Sequence, residues 1–187
     1  METKHALLDH AEAFVRSRGF DAFSYADLSG ALGIRKASVH YHFPTKSDLA
    51  LALITRYARR FVDDLARVAA VHAPAAAHLG AYLGLYRDAL KGGDALCLCV
   101  ALGAGRESMG ADVLARLDEF HADSRVWLIA AFTRAQADGS VAHMSDPIAE
   151  AEALLALVQG AQLLARSAGW TDPYDAATAA FRARLAP

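Results

Sequence analysis

The stretch Phe23–Leu49, FSYADLSGALGIRKASVHYHFPTKSDL, decides how this chain is read. Ser24 precedes Leu28, Ala31 and Leu32 at helical spacing, and Asp27 stands three residues after the serine, which is the pattern of a capping box. Gly33 stops this short helix. A second short helix is expected from about Lys36 to His42; it buries Val39 and Phe43 and is closed by Pro44. Thr45 with Asp48 is another capping pair and opens a long helix over about 46–71, with Leu49, Leu53, Tyr57, Phe61 and Leu65 in one stripe. Two short helices joined by a tight turn at Gly33 form the helix-turn-helix layout. The first packs on the second through Leu28, Leu32 and Val39 and leaves the second to enter a major groove. The outward positions of that second helix, Lys36, Ala37, Ser38, His40 and Tyr41, are small near its start and then offer donors and an aromatic ring. Lys46 stands at the N-terminus of the next helix, where backbone N–H groups and a cation together hold a phosphate. The pattern alone equally fits an αα-corner inside an enzyme.

The rest of the chain reads as helix on both sides of this segment. Leu7, Ala11, Phe14 and Val15 recur at helical spacing before Gly19. Pro74 breaks the chain, and a helix from about 75 to 90 carries Leu79, Tyr82, Leu83 and Tyr86 before Gly92 and Gly93. Asp94 is placed to cap a short, nearly all-apolar helix from Ala95 to about Ala104. A longer one is expected from about Ala111 to Ala137, another from the Ser145-Asp146-Pro147 start signal to Ala168, and a last one from Pro173. No segment alternates with period two for long enough to be a strand, so the expected fold is all-α: an N-terminal helix-turn-helix unit and a C-terminal helical bundle.

Composition sets the outer bounds. With 187 residues, 55% apolar and 21% charged, the chain can bury one sizeable core, which excludes wholesale disorder. The longest uninterrupted apolar stretch, Ala95 to Gly105, is shorter than the roughly 18 residues a membrane span requires. No basic-then-apolar leader opens the sequence, and two cysteines two residues apart make no disulfide framework. These features predict a soluble cytoplasmic protein without a membrane partner. The net charge of −2 argues against a protein coated in nucleic acid, but its distribution is uneven. Residues 1–70 carry 10 Lys and Arg against 8 Asp and Glu, and residues 71–187 carry 9 against 13. Between Leu28 and Ser47 there are Arg35, Lys36 and Lys46 and no acid, as a phosphate-contacting surface requires.

The run from Gly33 through Ser38 to His40-Tyr41-His42-Phe43, followed by Pro44 and Lys46, resembles the N-terminal signature of the TetR/AcrR family of transcriptional repressors. The resemblance is close over about the first 50 residues and extends loosely to the remaining helices. It implies a DNA-binding domain over residues 1–47 and a ligand-binding and dimerisation domain over 48–187, with the helix at about 46–71 linking them. It also implies a homodimer on a roughly palindromic operator, released by a small-molecule effector held in the C-terminal bundle. By this resemblance Ser24 and Tyr25 contact the DNA backbone. Arg35, Lys36, Ala37, Ser38, His40 and Tyr41 supply groove and phosphate contacts, and His42 and Lys46 grip flanking phosphates. Three positions depart from the family pattern: Ala37 where Gly is frequent, Val39 where Leu or Ile is more frequent, and Arg35 where Ser is common. The first two keep the packing; the third adds a charge that bears on which operator is read.

The C-terminal half carries weaker signals. A helical bundle rich in aromatics can enclose a mostly apolar pocket, and the candidate lining residues are Tyr82, Tyr86, Cys99, Met109, Phe120, His121, Trp127 and Phe132. Each also suits plain core. On a continuous helix Cys97 and Cys99 project about 200° apart, so neither an intrahelical disulfide nor a shared metal is expected. No His pair has zinc-binding spacing with a carboxylate partner, and no GxSxG, HExxH or phosphate-cradling loop occurs, so no metal, cofactor or catalytic activity is expected. The last two helices carry Leu154, Leu155, Leu157, Val158, Leu163, Leu164, Phe181 and Leu185, more apolar face than one small bundle covers, which favours pairing of two copies. The rival readings are a helical-bundle enzyme and a binding protein that has lost DNA recognition.

Overall fold

A computed structural model describes residues 2–185. Among the described residues there are nine α-helices and no strand: α1 (Glu2–Arg18), α2 (Tyr25–Leu32), α3 (Lys36–His42), α4 (Lys46–Ala70), α5 (Ala75–Ala89), α6 (Leu98–Ala104), α7 (Ala111–Asp138), α8 (Pro147–Ala168) and α9 (Asp172–Arg184). The fold is all-α, as the sequence predicts.

The helix ends follow from local chemistry. The Asp146 carboxylate accepts from the Ala149 N–H at 3.0 Å, and Pro147 fills the first helical position of α8, where a missing N–H costs nothing. Gly169, at φ 84°, ends that helix in the left-handed region. The one displaced start is that of α6, which begins at Leu98 rather than Ala95. After α5 the chain makes a 3₁₀ turn over Lys91–Gly93, with Gly92 and Gly93 at φ 78° and 115°. The Ala95 N–H then donates back to the Leu90 carbonyl at 3.0 Å. Cys97 is consequently left at φ −53° and ψ 138°, outside the helix.

The helices gather into two compact units. The first unit contains the chain up to Arg59 together with Cys97–Phe120; the second contains Arg60–Leu96 and the chain from His121 onward. In the first unit, α2 packs on α3 and on α1, and α6 packs on α1. Leu7, Ala11, Val15, Leu28, Val39, Leu49 and Leu53 are fully buried there. An ion-pair cluster links α1 to α4, with Arg56 reaching Asp9 at 2.7 Å and Glu12 at 2.9 Å.

In the second unit, α8 packs on α9 and both pack on α5. Two polar groups of its core bond to backbone carbonyls: Tyr174 donates to the Leu83 carbonyl at 2.8 Å, and the Gln162 amide donates to the Tyr86 carbonyl at 2.5 Å. Arg87 and Asp175 form a two-pronged ion pair, both contacts at 2.7 Å. Helix α8 is long and apolar enough to cross a membrane by length and composition, a feature the longest-apolar-run reading overlooks because charges interrupt it. In this fold its Leu154, Leu155, Val158, Ala161 and Ala165 are buried, as in the core helix of a globular unit.

Candidate nucleic-acid interface

The reading segment is held by two capping boxes and one left-handed glycine. At the start of α2 the Ser24 hydroxyl accepts from the Asp27 N–H at 3.3 Å, while the Asp27 carboxylate accepts from the Ser24 N–H at 2.6 Å and from its hydroxyl at 2.7 Å. These bonds from Ser24 hold the Asp27 carboxyl below its usual range. Thr45 and Asp48 repeat the arrangement at the start of α4. Between α2 and α3, Gly33 sits at φ 64°, and the Ile34 N–H closes the turn on the Ser29 carbonyl at 3.0 Å.

Three residues that the resemblance assigns to DNA also make hydrogen bonds within the protein. Tyr25 is buried, and its hydroxyl donates to the Thr45 carbonyl at 2.5 Å; burial, reinforced by Asp48, pushes its pKa up to about 12. The Ser24 proton goes to Asp27, whose negative charge beside it repels a phosphate. The Lys46 ammonium donates to the Phe20 carbonyl at 2.6 Å and the Phe23 carbonyl at 2.7 Å, and lies 4.6 and 4.5 Å from the centres of those two rings. Burial lowers its pKa, with Asp21 and Asp27 pulling the other way. In this structure the Lys46 side chain folds back on the α1–α2 loop. Ser24 caps α2, and the Tyr25 hydroxyl ties α2 to the chain before α4.

The remaining predicted residues lie together on the outer face of α3. Arg35, Lys36, Ala37 and His40 are exposed, Ser38 and His42 half-exposed, and Tyr41 is 83% exposed, unusual for a large aromatic side chain. The Tyr41 and His42 rings meet edge to face at 5.1 Å. His40 donates from Nδ1 to the Pro44 carbonyl at 3.3 Å, which leaves Nε2 of the neutral ring as an acceptor, and the Tyr25 ring packs against it at 4.8 Å. An open groove of about 440 Å³ is lined by Thr3, Ile34, Arg35, Ala37, Ser38, Tyr41 and His42. Thr3 and Ile34 were not among the sequence candidates; Thr3 comes from α1, and no local pattern connects it to α3. This face offers cationic and hydroxyl donors for phosphates and base edges, and small apolar groups that suit a thymine methyl.

The candidate pocket residues separate between the units. Tyr82, Tyr86, His121, Trp127 and Phe132 belong to the second. There Tyr82 stacks on Trp127 at 5.6 Å and lies 5.2 Å from Tyr86. Trp127 Nε1 and, one turn earlier on α7, Ser124 Oγ are buried without a hydrogen-bond partner among the described residues. Cys99, Met109 and Phe120 belong to the first unit, where Phe120 faces Tyr57 at 6.3 Å.

The family model for bacterial regulatory proteins of the tetR family matches residues 7–53, which span most of α1 through the first turns of α4. The whole chain superposes on a TetR-family transcriptional regulator from Agrobacterium tumefaciens with a TM-score of 0.90 and 29% identity, covering 100% of this chain and 98% of that one. Over residues 7–53 the chain carries a segment of the tetR-family type. Within its matched segment it is 40% identical over 52 residues to the HTH-type transcriptional regulator CymR of Pseudomonas putida, which is 28% of this chain and 26% of that protein. It is also 28% identical over 64 residues to IcaR of Staphylococcus epidermidis, the negative transcriptional regulator of the biofilm operon icaADBC, covering 34% of this chain and 35% of that protein. The chain thus spans about a quarter to a third of the length of these two relatives. These proteins are named as transcriptional regulators.

Proposed function

We propose that the chain is a transcriptional repressor that reads a roughly palindromic operator as a homodimer and is released by a small-molecule effector. The observation that carries this reading is the face of α3. Arg35, Lys36, Ser38, His40 and Tyr41 stand on one exposed surface, in a run from Leu28 to Ser47 without an acid, on a helix whose supports are all satisfied internally. Repression, rather than activation, is supported by the negative regulator IcaR. With Lys46 turned inward, Arg35 and Lys36 are the cations assigned to the phosphates.

A second copy is assigned to the α8 and α9 surface. Leu163 and Leu164 are 48% and 59% exposed on α8, and Ala153, Gly160 and Ala180 on the two helices admit close approach. A twofold pair sets two copies of α3 on successive major grooves about 34–36 Å apart. The effector is assigned to the second unit beside Tyr82, Tyr86 and Trp127, where Trp127 Nε1 can donate to a ligand acceptor and Ser124 Oγ can donate or accept. Helices α4 and α7 each run through both units, so a ligand that favours one arrangement of the second unit biases the first through continuous helix. A soluble cytoplasmic location accords with this reading.

Fluorescence anisotropy on DNA from upstream of the coding region, beside a random duplex and a salt titration, tests the proposal. Sequence-dependent binding at two protomers per site is the expected result. Binding equal to that of random DNA at every candidate site in a genome-wide selection would overturn it.

A further inference from the structure

The second unit contains an open cavity that neither the α3 face nor the aromatic cluster at Trp127 uses. Its volume is about 760 Å³, within the range of small-molecule pockets. The walls come from the start of α5, the turn after α7 and the end of α9. Pro74, Ala77, Gly80 and Leu185 make its apolar side, and Asp138 and Arg182 are its charged groups. The apolar side is built largely from small groups. A Cβ added at Gly80 would stand 3.8 Å from the Leu185 side chain, in ordinary contact.

The two charged groups differ in what they already hold. Both Asp138 oxygens are taken, one accepting from the Ala75 N–H and the other from the Ser140 N–H, each at 2.9 Å. These bonds, that of Ala75 foremost, hold its carboxyl below the usual range and commit the anion to the first turn of α5. The Ser140 hydroxyl accepts from the Ala76 N–H at 3.0 Å. Arg182 is half-buried, and its Nε donates to Thr178 Oγ1 at 3.3 Å. Its Nη2 is buried without a hydrogen-bond partner among the described residues. Asp175, one helical turn before Thr178, is bound by Arg87 through both oxygens. A permanent cation thus borders the cavity, held by one long hydrogen bond and able to turn toward an anion at small cost.

We propose that this cavity binds a monocarboxylate with an apolar body, its carboxylate on Arg182 and its hydrocarbon part against Pro74, Ala77, Gly80 and Leu185. The planar guanidinium fork matches a carboxylate, which it can meet with two parallel hydrogen bonds. One cation beside the fixed anion of Asp138 suits a single negative charge and disfavours the doubly charged phosphate. An amine finds no free acceptor, because both Asp138 oxygens are engaged and Arg182 repels it. The apolar wall has no aromatic ring, so the body it suits is a saturated chain. Tyr82, Tyr86 and Trp127 are not among the lining residues, which makes this a site separate from the one assigned to the effector. It stands whether or not the chain reads an operator.

Octanoate is titrated into the full chain at neutral pH by isothermal calorimetry, beside octanamide, octylamine, octyl phosphate and acetate. The expected result is saturable binding of one octanoate per chain. Octanamide, its uncharged isostere, and acetate, which lacks the chain, are each expected to bind about tenfold or more weakly. Arg182→Gln is expected to weaken octanoate by about tenfold to a hundredfold, as the loss of a charge-assisted hydrogen bond does, and to leave octanamide unchanged. Ala77→Phe, at an exposed position of α5, narrows the cavity and is expected to weaken both, while Trp127→Phe leaves octanoate binding as it was. The helical circular-dichroism signal checks that each variant is folded, and Ala77→Phe decides the matter if Arg182→Gln is not. Octanoate bound no more tightly than octanamide would overturn the proposal, as would a preference for octylamine or octyl phosphate. So would affinity that survives both Arg182→Gln and Ala77→Phe, or that is lost with Trp127→Phe alone, which would move the ligand to the aromatic cluster.

Discussion

Lys46→Ala separates a brace from a phosphate contact. The substitution removes two hydrogen bonds from a cation to the Phe20 and Phe23 carbonyls and two contacts with the rings of the same residues. Charge-assisted hydrogen bonds contribute about 1.5–3 kcal/mol each and exposed cation–π contacts about 0.5–1 kcal/mol. The ammonium is only half-buried, so water replaces part of what is lost, and a net cost of about 1.5–3 kcal/mol is expected after that discount. Urea unfolding followed by circular dichroism, with protein concentration held constant, should show a lower midpoint at unchanged slope. A phosphate contact behaves differently: each one lost reduces the slope of log affinity against log salt by about 0.9. The brace predicts an unchanged salt slope on operator DNA under conditions where the variant is folded. Stability within about 0.3 kcal/mol of wild type, together with a salt slope smaller by about one, would refute the reasoning and restore Lys46 to the DNA surface.

Tyr41→Ala should abolish sequence preference in the same anisotropy assay while changing stability by less than about 0.5 kcal/mol, because the ring is 83% exposed; retained preference would remove Tyr41 from the reading face. Gly93→Ala should destabilise the second unit by about 1–3 kcal/mol, since a Cβ there would sit 2.4 Å from the Gly169 carbonyl carbon at φ 115°, and an unchanged melting temperature would contradict that packing. Glu150 is held below its ordinary range chiefly by hydrogen bonds from Arg184, at 2.7 and 3.0 Å. A depressed carboxyl stabilises the fold above its unfolded pKa of about 4.3, and the contribution fades as pH falls through the folded value. The melting-temperature difference between wild type and Arg184→Gln should therefore be largest near neutrality and shrink below about pH 4; a difference that is constant with pH would exclude the linkage.

Local signals carried most of the helix map. Lys36–His42 emerges as read because a glycine, a proline and two capping pairs all lie between Ser24 and Asp48. The start of α6 was misplaced where such signals are missing. Ala95 to Cys97 are as apolar as the helix after them, and what keeps them extended is the backbone reversal at Gly92 and Gly93. The face of α3 was legible for the same local reason, since outward positions follow from helical spacing once Val39 is buried. The inward turn of Lys46 and Tyr25 was not. Their acceptors are carbonyls 20–26 residues away, and a carbonyl leaves no trace in residue type. Thr3 was missed because only tertiary packing brings α1 to the groove.

The internal satisfaction of Ser24, Tyr25 and Lys46 bears on how such a reader can change over generations. The groups that hold α3 in place bond to one another, while the groups assigned to the operator project from its other side and support little of the fold. Exchanges at Arg35, Lys36, Ser38 or Tyr41 can then redirect recognition at small cost in stability, whereas exchanges among the supports cost stability whatever sequence is being read. A lineage carrying this scaffold is free to drift across operators one solvent-facing side chain at a time, with the frame beneath unaltered.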